Sequence, residues 1–344
     1  MLRSLAALAL LGWLSLFSTA TRGETDSFKG QVVRLVVGSS PGGGFDTHAR
    51  VLARHLSKHI PGKPAILVEN MPGAASLSAA NYIARVAKPD GLTIGVIGGA
   101  AVMGQLQGNK AVNFDVRDLQ IVASPGAYKT VCVVNKKRGI KDAAAWKASS
   151  RPVEIGVTSP GAGAYEVPLV VSAALGLRMH PVSGYPGTAD IRLAVESGEV
   201  DGACFSWDAI EAIWKAKMES GEIVPVLQTY KTDIANLSGV ANAMSLAESD
   251  EARELIRLGI HAPAEVNRFY SLPPKTPKDR VELLRTAFME TFKDPDFLND
   301  AKRAGLDIDP ITAEGVAKSV DALLSMSPEL ASKLMKIITG KATR

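Results

Sequence analysis

The sequence predicts an α/β protein of two lobes, each a mostly parallel sheet flanked by helices. Three observations point there. The run Val32 to Val37 is short, β-branched and continuously apolar, which suits a strand covered on both faces. Behind it comes Ser40-Pro41-Gly42-Gly43-Gly44, then a helical pattern with Ala49, Leu52, Ala53 and Leu56 at i, i+3, i+4 and i+7. The same plan returns in the second half of the chain. Val153 to Val157 leads into Ser159-Pro160-Gly161-Ala162-Gly163 and a helix from about Tyr165 to Leu175.

A helix that starts just behind a glycine turn leaves its first backbone N–H groups facing the loop. The positive end of the helix macrodipole lies there too, so such an end attracts anions. Two of these ends, facing each other across a cleft, would hold one negatively charged ligand from both sides.

The chain has 344 residues, enough for two domains of ordinary size. Its formal charge of +4 comes from dispersed Lys and Arg, which leaves no nucleic-acid footprint. Residues 1–20 read as a secretory signal peptide: Arg3, an apolar run from Leu5 to Phe17, then Ser18-Thr19-Ala20. Cleavage is expected after Ala20, with Gly23 as the second choice. The apolar run is short for a membrane anchor, and no later stretch approaches the roughly 20 residues of a spanning helix. With no cysteine near the cleavage site, the mature protein is expected to be soluble, exported and free of a lipid anchor.

The elements follow in order. Pro61 to Pro64 is a turn, Ala65 to Glu69 a strand and Asn70 to Ala75 a second turn. A helix from about Ser76 to Ala87 ends at Lys88-Pro89-Asp90-Gly91, and Leu92 to Ile97 is the third strand. Alternation at this spacing means βαβ crossovers. The glycine- and alanine-rich stretch Gly98 to Gly108 is a candidate cleft lining. Two strand-like runs between Ile121 and Val134, split by Pro125-Gly126, carry the crossing into the second lobe.

There, a helix near Ala143 to Ala148 precedes the second glycine loop. His180 to Ser183 is a candidate strand, Tyr185-Pro186-Gly187-Thr188 a turn, and Ala189 to Ser197 a helix. Trp207 and Asp208 close the strand that holds Cys204, and strand ends carry ligand contacts in open α/β sheets. After a helix from Ala209 to Glu219, the strand Ile223 to Leu227 returns the chain to the first lobe. The remainder is helical: 251–258, 277–292, 295–304 and 312–338, with Leu272-Pro273-Pro274 a linker. The expected division is 28–124 with 226–310 for the first lobe, 125–225 for the second, and 311–344 as a C-terminal helical segment. Two adjacent crossings would act as a hinge.

Chemistry-bearing motifs are sparse. The first glycine loop lacks the Gly-Lys-Ser/Thr of a P-loop and the full spacing of a dinucleotide fingerprint. Ser159 does not sit in a G-x-S-x-G elbow. Asp46, near a helix start, reads as a cap more readily than as a base. No metal-ligand spacing appears, and no cofactor is expected. His55 and His59, flanked by Arg50, Arg54 and Lys58, read as a solvated helix face. Cys132 and Cys204 lie in apolar strand-like runs; a disulfide and two buried thiols that never meet are both open readings.

Several short motifs occur together in order. They are Pro41-Gly42-Gly43-x-x-Asp46, Val68-Glu69-Asn70-x-Pro72-Gly73-Ala74 and Pro89-Asp90-Gly91-x-Thr93. Ser159 to Gly163, Tyr185-Pro186-Gly187-Thr188-Ala189, Gly198-Glu199-Val200-Asp201, Lys293 to Phe297 and Gly305-Leu306 follow. Together they resemble the substrate-binding proteins of tripartite tricarboxylate transporters, the Bug or TctC family, over essentially the whole mature chain.

The resemblance implies a monomeric, periplasmic, two-lobed Venus flytrap receptor of the type II-like class. Such a receptor captures a small organic acid and delivers it to a large and a small membrane subunit. It implies a first loop of Ser40, Pro41, Gly42, Gly43, Phe45 and Asp46, and a second of Ser159, Gly161, Ala162, Gly163, Ala164 and Tyr165. Asn70, Ala75 and Ser76 would approach the other end of the ligand.

The chain departs from the family pattern. Ala164-Tyr165 stands where many members have Thr-His, Pro186 replaces a basic residue and Met71 a frequent Arg. The expected pocket is therefore more aromatic and less cationic, which points to a less highly charged, longer or aromatic carboxylate. Phe45, Tyr165, Tyr185 and Trp207 are the candidate aromatic lining, with ordinary packing as the competing reading. Two other functions stay open: a periplasmic sensor presenting the bound acid to a signalling receptor, and an exported hydrolase using Ser40 or Ser159.

Overall fold

The computed structural model describes residues 28–42, 44–158, 160, 162–185 and 187–339. The signal-peptide expectation for 1–20 and the candidate residues Gly43, Ser159 and Gly161 lie outside the described residues.

β1 (Val32–Val37) leads through the first glycine turn into α1 (Gly44–Leu56). β2 (Ala65–Asn70), α2 (Leu77–Arg85), β3 (Thr93–Gly98) and α3 (Ala100–Leu106) complete two crossovers. β4 (Gln120–Ser124) passes through Pro125-Gly126 into β5 (Thr130–Asn135). α4 (Ala143–Lys147), β6 (Val153–Gly156), α5 (Gly163–Leu175) and β7 (Met179–Val182) follow. Next come α6 (Thr188–Ser197), β8 (Gly202–Ser206), α7 (Trp207–Glu219) and β9 (Ile223–Gln228). α8 (Asp250–Ile256) continues through a π-helical turn, Arg257–His261, into α9 (Ala262–Glu265). β10 (Arg268–Leu272), α10 (Lys278–Lys293) and α11 (Pro295–Arg303) lead to β11 (Ile311–Thr312), α12 (Ala313–Leu324) and α13 (Pro328–Thr339).

Among the described residues the strands form two sheets, ordered β11-β4-β10-β3-β1-β2 and β7-β6-β8-β5-β9. Each has a parallel trio at one end: β1 between β2 and β3, and β6 between β7 and β8. The rest of each sheet is antiparallel, so the sheets are mixed rather than mostly parallel. The cause is the double crossing: β5 and β10, on which the chain enters a lobe, run against the βαβ direction, while β4 and β9, on which it leaves, run with it.

Two sequence expectations shift. β9 pairs with β5 in the second sheet, so the strand at 223–228 does not return the chain to the first. That role falls to β10, which lies between β3 and β4 in the sheet and, in sequence, between the expected helix 251–258 and the expected linker that begins at Leu272. Residues 312–338 form two helices, because Pro328 opens α13 and cannot continue α12. α12 packs on β4, α3 and α9, and α13 packs on α5, so the C-terminal segment touches both lobes. One apolar cluster accordingly runs from Val36 and Ile97 through Val320 and Leu334 to Val170 and Val134.

Cys132 and Cys204 stand directly opposite each other on β5 and β8 and form a disulfide. The helix face bearing His55 and His59 is not merely solvated. His55 meets Asp300 at 3.0 Å and His59 meets Asp294 at 2.7 Å, docking α1 on α11. Lys58 joins Asp294 at 2.5 Å and Arg54 joins Asp300 at 2.9 Å, a reciprocal charge pattern invisible while the two helices are read separately.

Candidate functional site

The candidate residues gather at the carboxyl ends of the two parallel trios, where open α/β sheets bind ligands. In the first lobe, β1 ends at the glycine turn, β2 at Asn70 and β3 at Gly98. In the second, β6 precedes the second glycine turn, β7 precedes Tyr185, and β8 ends where Trp207 opens α7.

The first turn is built around Asp46, which is 2% exposed. Its carboxylate accepts from Gly42 N at 2.8 Å, Arg50 Nε at 2.8 Å and Asn70 Nδ2 at 2.9 Å. Asn70 Nδ2 also donates to Ser39 O at 2.9 Å, and Arg50 donates to Asn70 Oδ1 at 3.0 Å. Burial pushes the Asp46 carboxyl up, but the bonds from Arg50, Gly42 and Asn70 outweigh it and hold its pKa at about 2. Asp46 therefore fixes the loop and is spent doing so, as is the Gly42 amide. Ser40, Pro41 and Gly42 are exposed at the tip.

The turn after β2 is strained. Ala74 and Ser76 adopt φ values of 46° and 80°, which non-glycine residues rarely take. Ser76 is buried and its hydroxyl accepts from Gly98 N at 3.1 Å, tying this turn to β3. A Cβ at Gly38 would overlap that hydroxyl, so Gly38 permits the close approach. Ala75 lies between the two strained residues in a 3-10 turn.

The second site is organised differently. Ala162 caps α5 with backbone alone. Ala164 is buried in the second lobe's apolar cluster, whereas Tyr165 packs against the cluster shared by both lobes. Gly163 lies under the ring of Tyr128, from the first crossing, with 3.2 Å between Tyr128 Cε1 and a Cβ placed there. Trp207 N donates to Lys129 O at 2.8 Å, its ring packs partly into the apolar cluster, and Asp208 beside it is exposed. Tyr185 turns its hydroxyl away to Glu199, donating at 2.7 Å. Burial first and the Glu199 bond second push its pKa up to about 12.

Two first-lobe residues, His48 and Arg268, were not picked out by sequence reasoning, and they gather around Phe45, which was. Phe45 and His48, one turn apart on α1, face Arg268 on β10. The Arg268 guanidinium lies over the Phe45 ring, 5.5 Å from its centroid. Arg268 is paired in register with Gly98, whose missing side chain makes room for Phe45: a Cβ there would sit 3.1 Å from the ring. His48 is buried; desolvation first, then the charge of Arg268, hold its pKa down to about 2, so it is neutral. The visible signal was Arg268 itself, the one charge between Val266 and Leu272.

A separate cavity of about 210 Å³ lies between α3, the π-helical turn and α13, lined by Met103, Leu106, Leu258, Met326, Leu334 and Met335. None of the described glycine-turn residues lines it, although Glu166, in the first turn of α5, does.

The chain shares its fold with two-lobed periplasmic binding proteins. A TctC solute-binding protein from Polaromonas, solved without ligand, matches with a TM-score of 0.72 and 15% identity over 90% of this chain and 98% of that one. A Rhodopseudomonas palustris protein solved with adipate matches with a TM-score of 0.60 and 20% identity, covering 90% and 97%. Residues 48–322 match the family described as Tripartite tricarboxylate transporter family receptor, and the chain belongs to that family. A UPF0065 protein of Cupriavidus necator, encoded 5' of gbd, is 33% identical over 159 residues. That match covers 45% of this chain and 46% of the relative, so it spans about half the length of each.

Proposed function

We propose that this protein is a periplasmic receptor that captures a small organic acid between its lobes. It then hands the acid to the membrane subunits of a tripartite tricarboxylate-type transporter. The observation that carries the reading is the duplicated geometry. Each lobe has a parallel trio whose central strand runs through a glycine turn into a helix start. A carboxylate suits such an end, because N–H groups and the macrodipole are already oriented towards it.

The crossings at 125–129 and 229–267 serve as the hinge, with the lobes divided there. Closure is favoured because only the closed form makes both sets of contacts. Family membership and the adipate held by a structural neighbour support a carboxylate ligand and a periplasmic address. Asn70 and Ser76 shape the first half of the pocket, and Ala162 to Tyr165, Trp207 and Asp208 the second.

The test is a thermal-shift and calorimetry panel of adipate, malate, citrate and benzoate on the wild-type protein. A ligand at one hundred times its Kd adds about 2.7 kcal/mol to stability. A clear rise in Tm with at least one acid is expected. No shift with any acid at millimolar concentration, with the protein folded, would sink the reading.

A further inference from the structure

We propose that Arg268 is the anion anchor of this site, the group that takes the ligand's carboxylate directly. The inference rests on the receptor reading and adds to it a specific side chain and a charge requirement.

Four observations converge on Arg268. Among the described residues its guanidinium forms no ion pair, and its Nε is closed off from solvent with no hydrogen-bond partner. The neighbouring groups do not neutralise it. Phe45 offers only a ring face, and His48 is uncharged. The nearest acid of the first turn, Asp46, is fully engaged with Arg50, Gly42 and Asn70.

The position is also apt. Arg268 is paired with Gly98, at the carboxyl end of β3 and beside Phe45 at the start of α1, so it adjoins the helix-start amides. Asp208, at the start of α7 in the other lobe, is near enough for its charge to act on Arg268.

Arg268 is half-buried, and a guanidinium nitrogen closed off from water without a partner is costly, because polar groups shut away from solvent are normally paired. It persists where a partner arrives from outside. A guanidinium presents several N–H donors in a fixed fork that matches a carboxylate, and the bond is strong where water is excluded. Asp208 is then a competitor: in the unliganded protein it draws on Arg268, and the incoming carboxylate displaces that attraction. The ligand class is a carboxylate whose charge is needed for recognition, so the corresponding amide should bind poorly.

The experiment compares wild type with Arg268→Met, Arg268→Gln and Asp208→Asn. Calorimetry and thermal shift would use whichever of adipate, malate, citrate or benzoate the wild type binds, together with its amide. In Arg268→Met the acid is expected to bind about 100-fold more weakly, while the unliganded Tm stays level or rises. The acid-over-amide preference should collapse with it. Asp208→Asn is expected to tighten acid binding.

Unchanged acid affinity in Arg268→Met or Arg268→Gln overturns the assignment and leaves the receptor reading standing. A fall in unliganded Tm in both Arg268 variants with the acid-over-amide preference kept makes Arg268 a structural residue and also overturns it. Loss of affinity in Asp208→Asn as large as in Arg268→Met would mean that Arg268 serves a latch between the lobes. A wild type that binds none of the acids removes both readings.

Discussion

The two glycine turns share a sequence plan but are held by different means. The first is braced by a polar network, with Asp46 collecting Gly42, Arg50 and Asn70 and joining three segments. The second carries its acid, Glu166, one position deeper into the first turn of its helix, and no side chain makes the cap bond there. α5 is capped by backbone, and the residues behind the cap, Ala164 and Tyr165, are fixed by burial in two apolar clusters. Beneath it, the second sheet carries the Cys132–Cys204 bridge, while the first sheet has no disulfide among the described residues. A shared motif thus specifies a backbone shape, and each lobe supplies its own means of keeping that shape.

The sharpest test of this contrast is the disulfide. It closes a segment separated by 72 positions, and its loss is expected to cost about 4 kcal/mol on chain-entropy grounds. Urea unfolding of the Cys132→Ala/Cys204→Ala variant measures this, and hydrogen exchange locates it. Protection should fall in β5, β6 and β8 while β1, β2 and β3 keep theirs. An equal fall in both sheets would mean that the shared apolar cluster makes the lobes unfold as one unit, and the contrast between them would fail.

Asp46→Ala attacks the other lobe's device. It leaves the Gly42 amide and Asn70 without their acceptor, whereas half-exposed Arg50 turns to water, so a loss of about 2 kcal/mol is expected. The sign of the pH effect follows from the depressed pKa. Asp46 titrates at about 2 in the folded chain, below the unfolded carboxyl near about 4. Its contribution is complete above the unfolded value and disappears as pH falls through about 2. The stability gap between wild type and Asp46→Asn should therefore narrow on going from pH 5 towards pH 2. A gap that is flat over that window would show that hydrogen bonding, not charge, holds the turn.

Local pattern carried the βαβ units. Val32–Val37, its glycine turn and α1 were legible because the strand run, the breakers and the helical period stand in one continuous segment. β10 was not legible, since Arg268-Phe269-Tyr270-Ser271-Leu272 alternates too little to look like a strand and follows a helical run. Its identity comes from its neighbours β3 and β4, distant in sequence. The site divides the same way. Positions in the turns could be proposed from glycine spacing, but the commitment of Asp46 depends on Arg50 and Asn70, and the isolation of Arg268 depends on Phe45, His48 and Gly98. Those are properties of a three-dimensional surrounding, which single-chain patterning does not encode.

Tyr185 gives the smallest expected effect and the cleanest separation of packing from binding. Its turn lies at the end of β7, on the edge of the parallel trio, so sequence reasoning grouped it with the ligand contacts. The hydroxyl nevertheless donates to Glu199 at 2.7 Å, and a Cβ at Gly156 would lie 3.5 Å from Tyr185 Cε2. The ring thus braces β6 and the hydroxyl holds the segment after α6. Tyr185→Phe keeps the ring and removes only that bond, a change of about 1 kcal/mol at most. Acid affinity is expected to stay at the wild-type value while Tm falls slightly. If affinity drops severalfold with Tm unchanged, the hydroxyl turns into the cleft when the lobes close. The second lobe would then contribute a side-chain donor as well as its backbone.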